Sequence, residues 1–128
     1  MIIIQTTVDD DKKAKELINL LIETNKIACG TFHEIQSSYK WKEKLIEEQE
    51  FELSMYTKES LMREVVDVIT QRHPYELPKI TVLEPVYTLP EYEGEVLGDE
   101  LVTNGDFSDG DFVYYNDEII DSDFIAPE

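Results

Sequence analysis

Residues 2–21 read Ile2-Ile3-Ile4-Gln5-Thr6-Thr7-Val8-Asp9-Asp10-Asp11-Lys12-Lys13-Ala14-Lys15-Glu16-Leu17-Ile18-Asn19-Leu20-Leu21, and the change of pattern inside this stretch decides the fold. Ile2–Thr7 is rich in β-branched residues and reads as a buried first strand. Asp9, Asp10 and Asp11 then stand where a helix start favours acids against its dipole. Ala14, Leu17, Ile18 and Leu21 follow at i, i+3, i+4 and i+7, the apolar stripe of a helix that should end near Asn25-Lys26.

Working outward, Ile27–Ile35 reads as a second strand and Ser37–Trp41 as a further extended stretch, continuous with it through a bend. Lys42-Glu43-Lys44 is a polar turn. Phe51, Leu53 and Met55 alternate with Glu52, Ser54 and Tyr56, which predicts a strand with two chemically different faces. Leu61, Val65, Val68 and Ile69 mark a second helix, with Ser60 or Thr57 as cap, and Pro74 stops it. Lys79–Val86 is the last core strand, with Pro78 confined to its start or edge because it lacks an N–H donor. The order β-α-β-β-α-β is the split arrangement of an α+β, ferredoxin-like sandwich. Right-handed crossovers put both helices on one face of an antiparallel sheet and leave the other face uncovered. Apolar residues on that face need a partner, so oligomerisation is expected.

The 128 residues fit one domain, and 41% hydrophobic residues with 10% aromatics supply a core. The apolar start is too short for a signal peptide, no run approaches a membrane span, and the single Cys29 suits a reducing compartment. A cytoplasmic location is the expectation. The net charge of −18 is unevenly spread. Residues 1–79 carry all 11 basic residues against 15 acids, whereas residues 80–128 carry no basic residue and 14 acids. Such a field repels phosphate backbones and anionic lipid, which argues against nucleic acid and membrane partners. Residues 91–128 read as an acidic C-terminal extension to a domain spanning 1–90. Leu101-Val102-Thr103 before Asn104-Gly105 predicts one hairpin, and Phe112–Tyr115, Asn116-Asp117 and Ile119-Ile120 a second.

His73-Pro74-Tyr75-Glu76-Leu77-Pro78 is the most distinctive stretch. Two prolines favour extended backbone at His73 and Leu77, giving a stiff link that displays imidazole, phenol and carboxylate. Imidazole and carboxylate suit a borderline divalent metal, and Cys29 could add a soft sulfur. The plainer reading has His73 capping the preceding helix. Asn104–Asp111 fails as a calcium loop, because the EF-hand frame set by Gly110 puts Gly105 and Phe107 at ligand positions. Cys29 with His33 or His73 lacks an orienting third group, so inert burial outweighs a nucleophile, and no enzyme constellation appears.

His73–Pro78 closely resembles the HPYE-hydrophobic-Pro signature of the CutA family. Ile27-Ala28-Cys29-Gly30 is similar to that family's LAAC segment, and Tyr39-Lys40-Trp41-Lys42-Glu43-Lys44-Leu45 to its YxWxGKI hairpin. The resemblance covers residues 1–90. It implies a homotrimer of ferredoxin-like subunits, sharing its fold with PII signalling proteins and linked to tolerance of divalent metals such as copper. It also implies an inter-subunit cleft lined by Cys29, Tyr39, Trp41, His73, Tyr75 and Glu76, with Cys29, His73 and Glu76 as candidate metal ligands. No cofactor is required; Cu2+ or another divalent ion is the candidate ligand. The alternatives are a PII-like small-molecule sensor and a structural trimer that recruits a protein through its tail. Three departures stand out. Glu43 occupies a position usually held by glycine, and Tyr56 one usually held by lysine. After Val86 the family's short helix is expected to be disfavoured by Gly94.

Overall fold

The structure is a computed structural model that describes residues 1–98. Its elements run β1 (Ile2–Val8), α1 (Asp11–Glu23), β2 (Cys29–Trp41), β3 (Lys44–Thr57), α2 (Met62–Arg72), β4 (Ile80–Leu83) and α3 (Pro90–Leu97), with a 3-10 turn at Glu59–Leu61. The strands form one antiparallel sheet in the order β2-β3-β1-β4. This is the ferredoxin-like arrangement, and the expected fold class is the observed one. The described residues divide into two units, Met1–Pro85 and one that begins at Val86.

The core of the first unit follows from the two periodicities. Even-numbered residues of β1 (Ile2, Ile4, Thr6, Val8) and odd-numbered residues of β3 (Leu53, Met55, Thr57) point to one side and are buried. Ala14, Leu17, Ile18 and Leu21 of α1 and Val65 and Ile69 of α2 close over them. Asp10 caps α1, its carboxylate accepting from the Lys13 N–H at 2.8 Å. The helix ends as expected, with Asn25 at φ 59° and the Lys26 N–H donating to the Leu21 carbonyl at 2.8 Å. Neither Ser60 nor Thr57 caps α2, whose start has no side-chain cap hydrogen bond. Thr57 instead is the last residue of β3, and its hydroxyl donates to the Lys26 carbonyl at 2.7 Å, tying the end of α1 to the sheet.

Two elements are longer than their sequence patterns. β2 is continuous through Gln36, and β3 starts seven residues before Phe51, so the two pair from Cys29↔Tyr56 to Trp41↔Lys44. β1 stops at Val8↔Phe51. Beyond that row, residues 35–41 and 44–50 form a ribbon of two strands alone. Glu47, Glu48 and Gln49 put polar side chains on both faces, since neither face meets the helix-covered core there, so no apolar alternation marks this half of the strand.

The ribbon closes with a two-residue turn in which Lys42 (φ 51°) and Glu43 (φ 72°) both have left-handed backbone. An L-residue there costs about 1–2 kcal/mol, less the extra unfolded-state freedom that a glycine brings. Glu43→Gly is therefore expected to stabilise the protein by about 0.5–1 kcal/mol. The check is a higher urea midpoint at unchanged m value; an unchanged midpoint would show that the turn holds no strain.

In the second unit, α3 corrects one expectation. Gly94 lies inside the helix, which forms despite the roughly 1 kcal/mol that glycine costs relative to alanine. Pro90 at the first turn, with Glu91 and Glu93 facing the positive end of the dipole, favours the start. Gly98, at φ 92°, ends it with its N–H on the Gly94 carbonyl at 2.9 Å. The two hairpins expected at 101–105 and 112–120 lie outside the described residues.

Candidate functional site

The pairing registers place side chains on the open face of the sheet in rows. One row is Cys29, Tyr56, Ile3 and Leu83; the next is Thr31, Ser54, Gln5 and Thr81. His33 and Glu52 pair in the following row, with His33 Nε2 3.7 Å from the Glu52 carboxylate. Ile35 and Glu50, Ser37 and Glu48, and Tyr39 and Ile46 continue it along the ribbon. This face therefore grades from apolar beside Cys29 to carboxylate-rich toward the ribbon.

The link His73–Pro78 crosses the end of β1 and is pinned at two points. His73 leaves α2 with extended backbone (φ −71°, ψ 138°), as the following proline requires. Its Nε2 lies 2.8 Å from the Thr7 carbonyl oxygen and 3.1 Å from Thr6 Oγ1. Because a carbonyl only accepts, Nε2 carries the hydrogen. Nδ1 is then the acceptor and receives the Tyr75 N–H at 3.0 Å. The ring is neutral and both nitrogens are used. His73 thus holds β1 and its own link rather than capping helix carbonyls. The second pin is the Tyr75 phenol, which donates to Glu50 at 2.7 Å, while Glu50 also accepts from Ser37 at 2.7 Å.

The electrostatics follow these contacts. Burial pushes the His73 imidazole below its ordinary value, opposed by its hydrogen bond to Thr7 and by the charges of Asp9 and Glu50. Burial and then the Glu50 hydrogen bond drive the Tyr75 phenol far up. The Tyr39 phenol is also raised, chiefly by its hydrogen bond to Glu48. Lowering of a histidine means that the unfolded chain binds the extra proton first. The stability contributed by neutral His73 is therefore complete above the unfolded value of about 6.5 and is lost as pH falls from there through the lower folded value. His73→Gln is expected to flatten stability between pH 7 and roughly pH 5 relative to the parent, measured by urea unfolding across that range. Parallel profiles would show that His73 does not titrate on unfolding.

The residues expected at the site are distributed as follows. His73 and Tyr75 are adjacent, with ring centroids 4.8 Å apart. Tyr39 and Trp41 share a strand with Ser37 on the ribbon, both exposed, and the Lys42 ammonium lies 5.7 Å from the Trp41 ring centre. Glu76 is exposed on the link. Cys29 is a free, half-buried thiol at the far end of the open face. His73 binds at Thr6–Thr7, whose rows contain Phe32 and His33, so Cys29 lies three to four rungs away along the strand and two strands across. That separation exceeds about 10 Å. Cys29 and His73 do not meet within one chain, and a metal would also have to displace one hydrogen bond of His73. Among the described residues, no three His, Cys, Asp or Glu side chains converge as a metal cage. One chain alone does not fit a metal at these positions. The residue that sequence reasoning missed is Glu50, whose acidic neighbours Glu47 and Glu48 disguise it as part of a solvated run.

No helix among the described residues is long and apolar enough to cross a membrane. Comparison with known proteins agrees with the geometry. The chain is 34% identical over 92 residues to the divalent-cation tolerance protein CutA of Thermotoga maritima, covering 72% of this chain and 91% of that one. It is 32% identical over 78 residues to human protein CutA, covering 60% of this chain and 44% of that one. The crystal structure of CutA1 from Pyrococcus horikoshii superposes with a TM-score of 0.71 at 29% identity, over 75% of this chain and 94% of that one. The PII-like protein CutA from a Nostoc species, in its apo form, gives 0.70 at 29% identity, over 76% and 94%. A profile of the family described as CutA1 divalent ion tolerance protein matches residues 2–94, and the chain belongs to that family.

Proposed function

We propose that this protein is a non-enzymatic homotrimer that takes a divalent cation, with Cu2+ as the first candidate, in clefts between its subunits. The observation that carries the reading is the apolar and aromatic exposure of the ribbon among the described residues. A two-stranded ribbon is marginal in water by itself. This one exposes Tyr39, Trp41 and Leu45 at 42%, 60% and 70%, surface that a neighbouring copy would cover. At its root the face that bears Tyr39 and Trp41, opposite to that of Leu45, carries Glu48, Glu50 and Glu52, which favour a cation over a phosphate. Cys29, His73 and Glu76 become one ligand set only if different copies supply them. The free thiol fits a reducing, cytoplasmic setting.

Native mass spectrometry should give three times the 14.9 kDa chain mass. Calorimetric titration with Cu2+ and Zn2+ should show binding that Cys29→Ala and His73→Ala weaken. A monomer removes the cleft, and unchanged binding in both variants removes the ligand set. The PII-like character named for the Nostoc neighbour supports a second reading, a small-molecule sensor at the same cleft. A co-purified organic ligand in native mass spectra would favour it. The third reading, a protein partner recruited by residues 91–128, fails if their deletion leaves every interaction unchanged.

A further inference from the structure

Glu50 stands where the sheet becomes a ribbon. Val8↔Phe51 is the last row that includes β1, and the next residue of β3, Glu50, pairs with Ile35 alone. Its side chain is buried, at 9% exposure. A carboxylate so placed is costly unless its oxygens are hydrogen-bonded, and here both are. Oε1 accepts from the Ser37 hydroxyl and Oε2 from the Tyr75 hydroxyl, each at 2.7 Å. The two donors come from β2 and from the link after α2, segments that are far apart in sequence. Both donors are neutral hydroxyls. The two carboxylate oxygens join two walls: the ribbon bearing Tyr39 and Trp41, and the link bearing Tyr75 and Glu76.

We propose that Glu50 is the positioning residue of the candidate cleft, clamping the His73–Pro78 link to the root of the ribbon so that Tyr75 and Glu76 face a ligand in one orientation. This rests on the reading that the ribbon and link line an inter-subunit cleft. The clamp is local chemistry, however, and it is measurable whether or not a cation binds.

The test uses the full chain, with Cu2+ alone as the probe. The variants are Glu50→Gln, Tyr75→Phe and the two combined. Ultraviolet resonance Raman spectra report whether a tyrosine hydroxyl donates to a carboxylate. That signature should fall in Glu50→Gln as far as it falls in Tyr75→Phe. Cu2+ affinity should drop about tenfold in each single variant, as for other residues that orient ligands indirectly. The double variant should be no worse, because the two act as one unit. The proposal is overturned if the Raman signature of Glu50→Gln equals the parent's. It is overturned equally if that variant loses urea resistance yet binds Cu2+ as the parent does, which would make Glu50 structural only. Should the parent bind no Cu2+, the cation reading fails by itself. Amide exchange over residues 75–77 then decides: faster exchange in Glu50→Gln supports the clamp, and equal exchange overturns it. If Glu50→Gln does not fold, Ser37→Ala removes one of the two hydrogen bonds and should give a smaller change of the same sign, with no change counting against the clamp.

Discussion

Replacing Leu53 by alanine is expected to cost about 3 kcal/mol, the largest loss from any single truncation considered. Leu53 is fully buried in β3, paired with Thr6 on β1 and Phe32 on β2. It therefore faces both helices from the middle of the sheet. Removing its branched end gives up transfer free energy and leaves a void inside the core cluster that α1 and α2 share with the sheet. Urea unfolding at fixed protein concentration measures the loss, concentration being fixed because an oligomer links assembly to stability. A cost below about 1 kcal/mol would mean that the helices collapse onto the site. Leu45→Ala on the ribbon is the contrast. At 70% exposure in one chain it should cost less than about 0.5 kcal/mol, and a larger loss would place a second copy over it.

The second large effect is at Gly30. A Cβ there would sit 2.7 Å from Ile18 Cγ2 and 3.1 Å from Cγ1. Both atoms branch from the Ile18 Cβ, and in a helix a β-branched side chain is held to one preferred χ1 rotamer, so moving them out of the way is costly. Gly30→Val should cost about 2 kcal/mol by overpacking, despite the better strand propensity of valine. Ile18→Ala removes the obstructing atoms, so the double variant should cost less than the two single losses added together. Strict additivity in urea midpoints would place the strain elsewhere.

The elements that were legible in the sequence are those that touch the core. β1, α1 and the half of β3 from Phe51 onward carry the periodicities that burial on one face imposes, and their limits agree with the pattern to within a few residues. The N-terminal half of β3 carries no such pattern, because the ribbon runs beyond the core that α1 and α2 close and has no apolar face to bury there. α3 escaped for a different reason. The local cost of Gly94 was visible, whereas the proline start, acidic first turn and glycine stop that offset it act only together. At the site, the motif from His73 to Pro78 marked the link, and spacing could not reveal what the link is pinned to. Thr7 and Glu50 lie 66 and 25 residues from their partners His73 and Tyr75. Contacts between such distant residues are consequences of sheet order, which single-residue chemistry does not encode.

That order has a consequence for synthesis. β1 leaves the ribosome before either of its strand partners, yet it lies inside the sheet between β3 and β4. Its nearest strand partner begins at Phe51, opposite Val8, and the other lies at Ile80–Leu83. At roughly 5–20 residues per second, Ile2-Ile3-Ile4 waits several seconds with both hydrogen-bonding edges unpaired. During that interval only α1 can shelter it, and α1 is amphipathic enough to do so on one face alone. The nascent chain should therefore depend on holdase chaperones until β3 emerges, and folding should be slow for its size because its central pairings span most of the sequence.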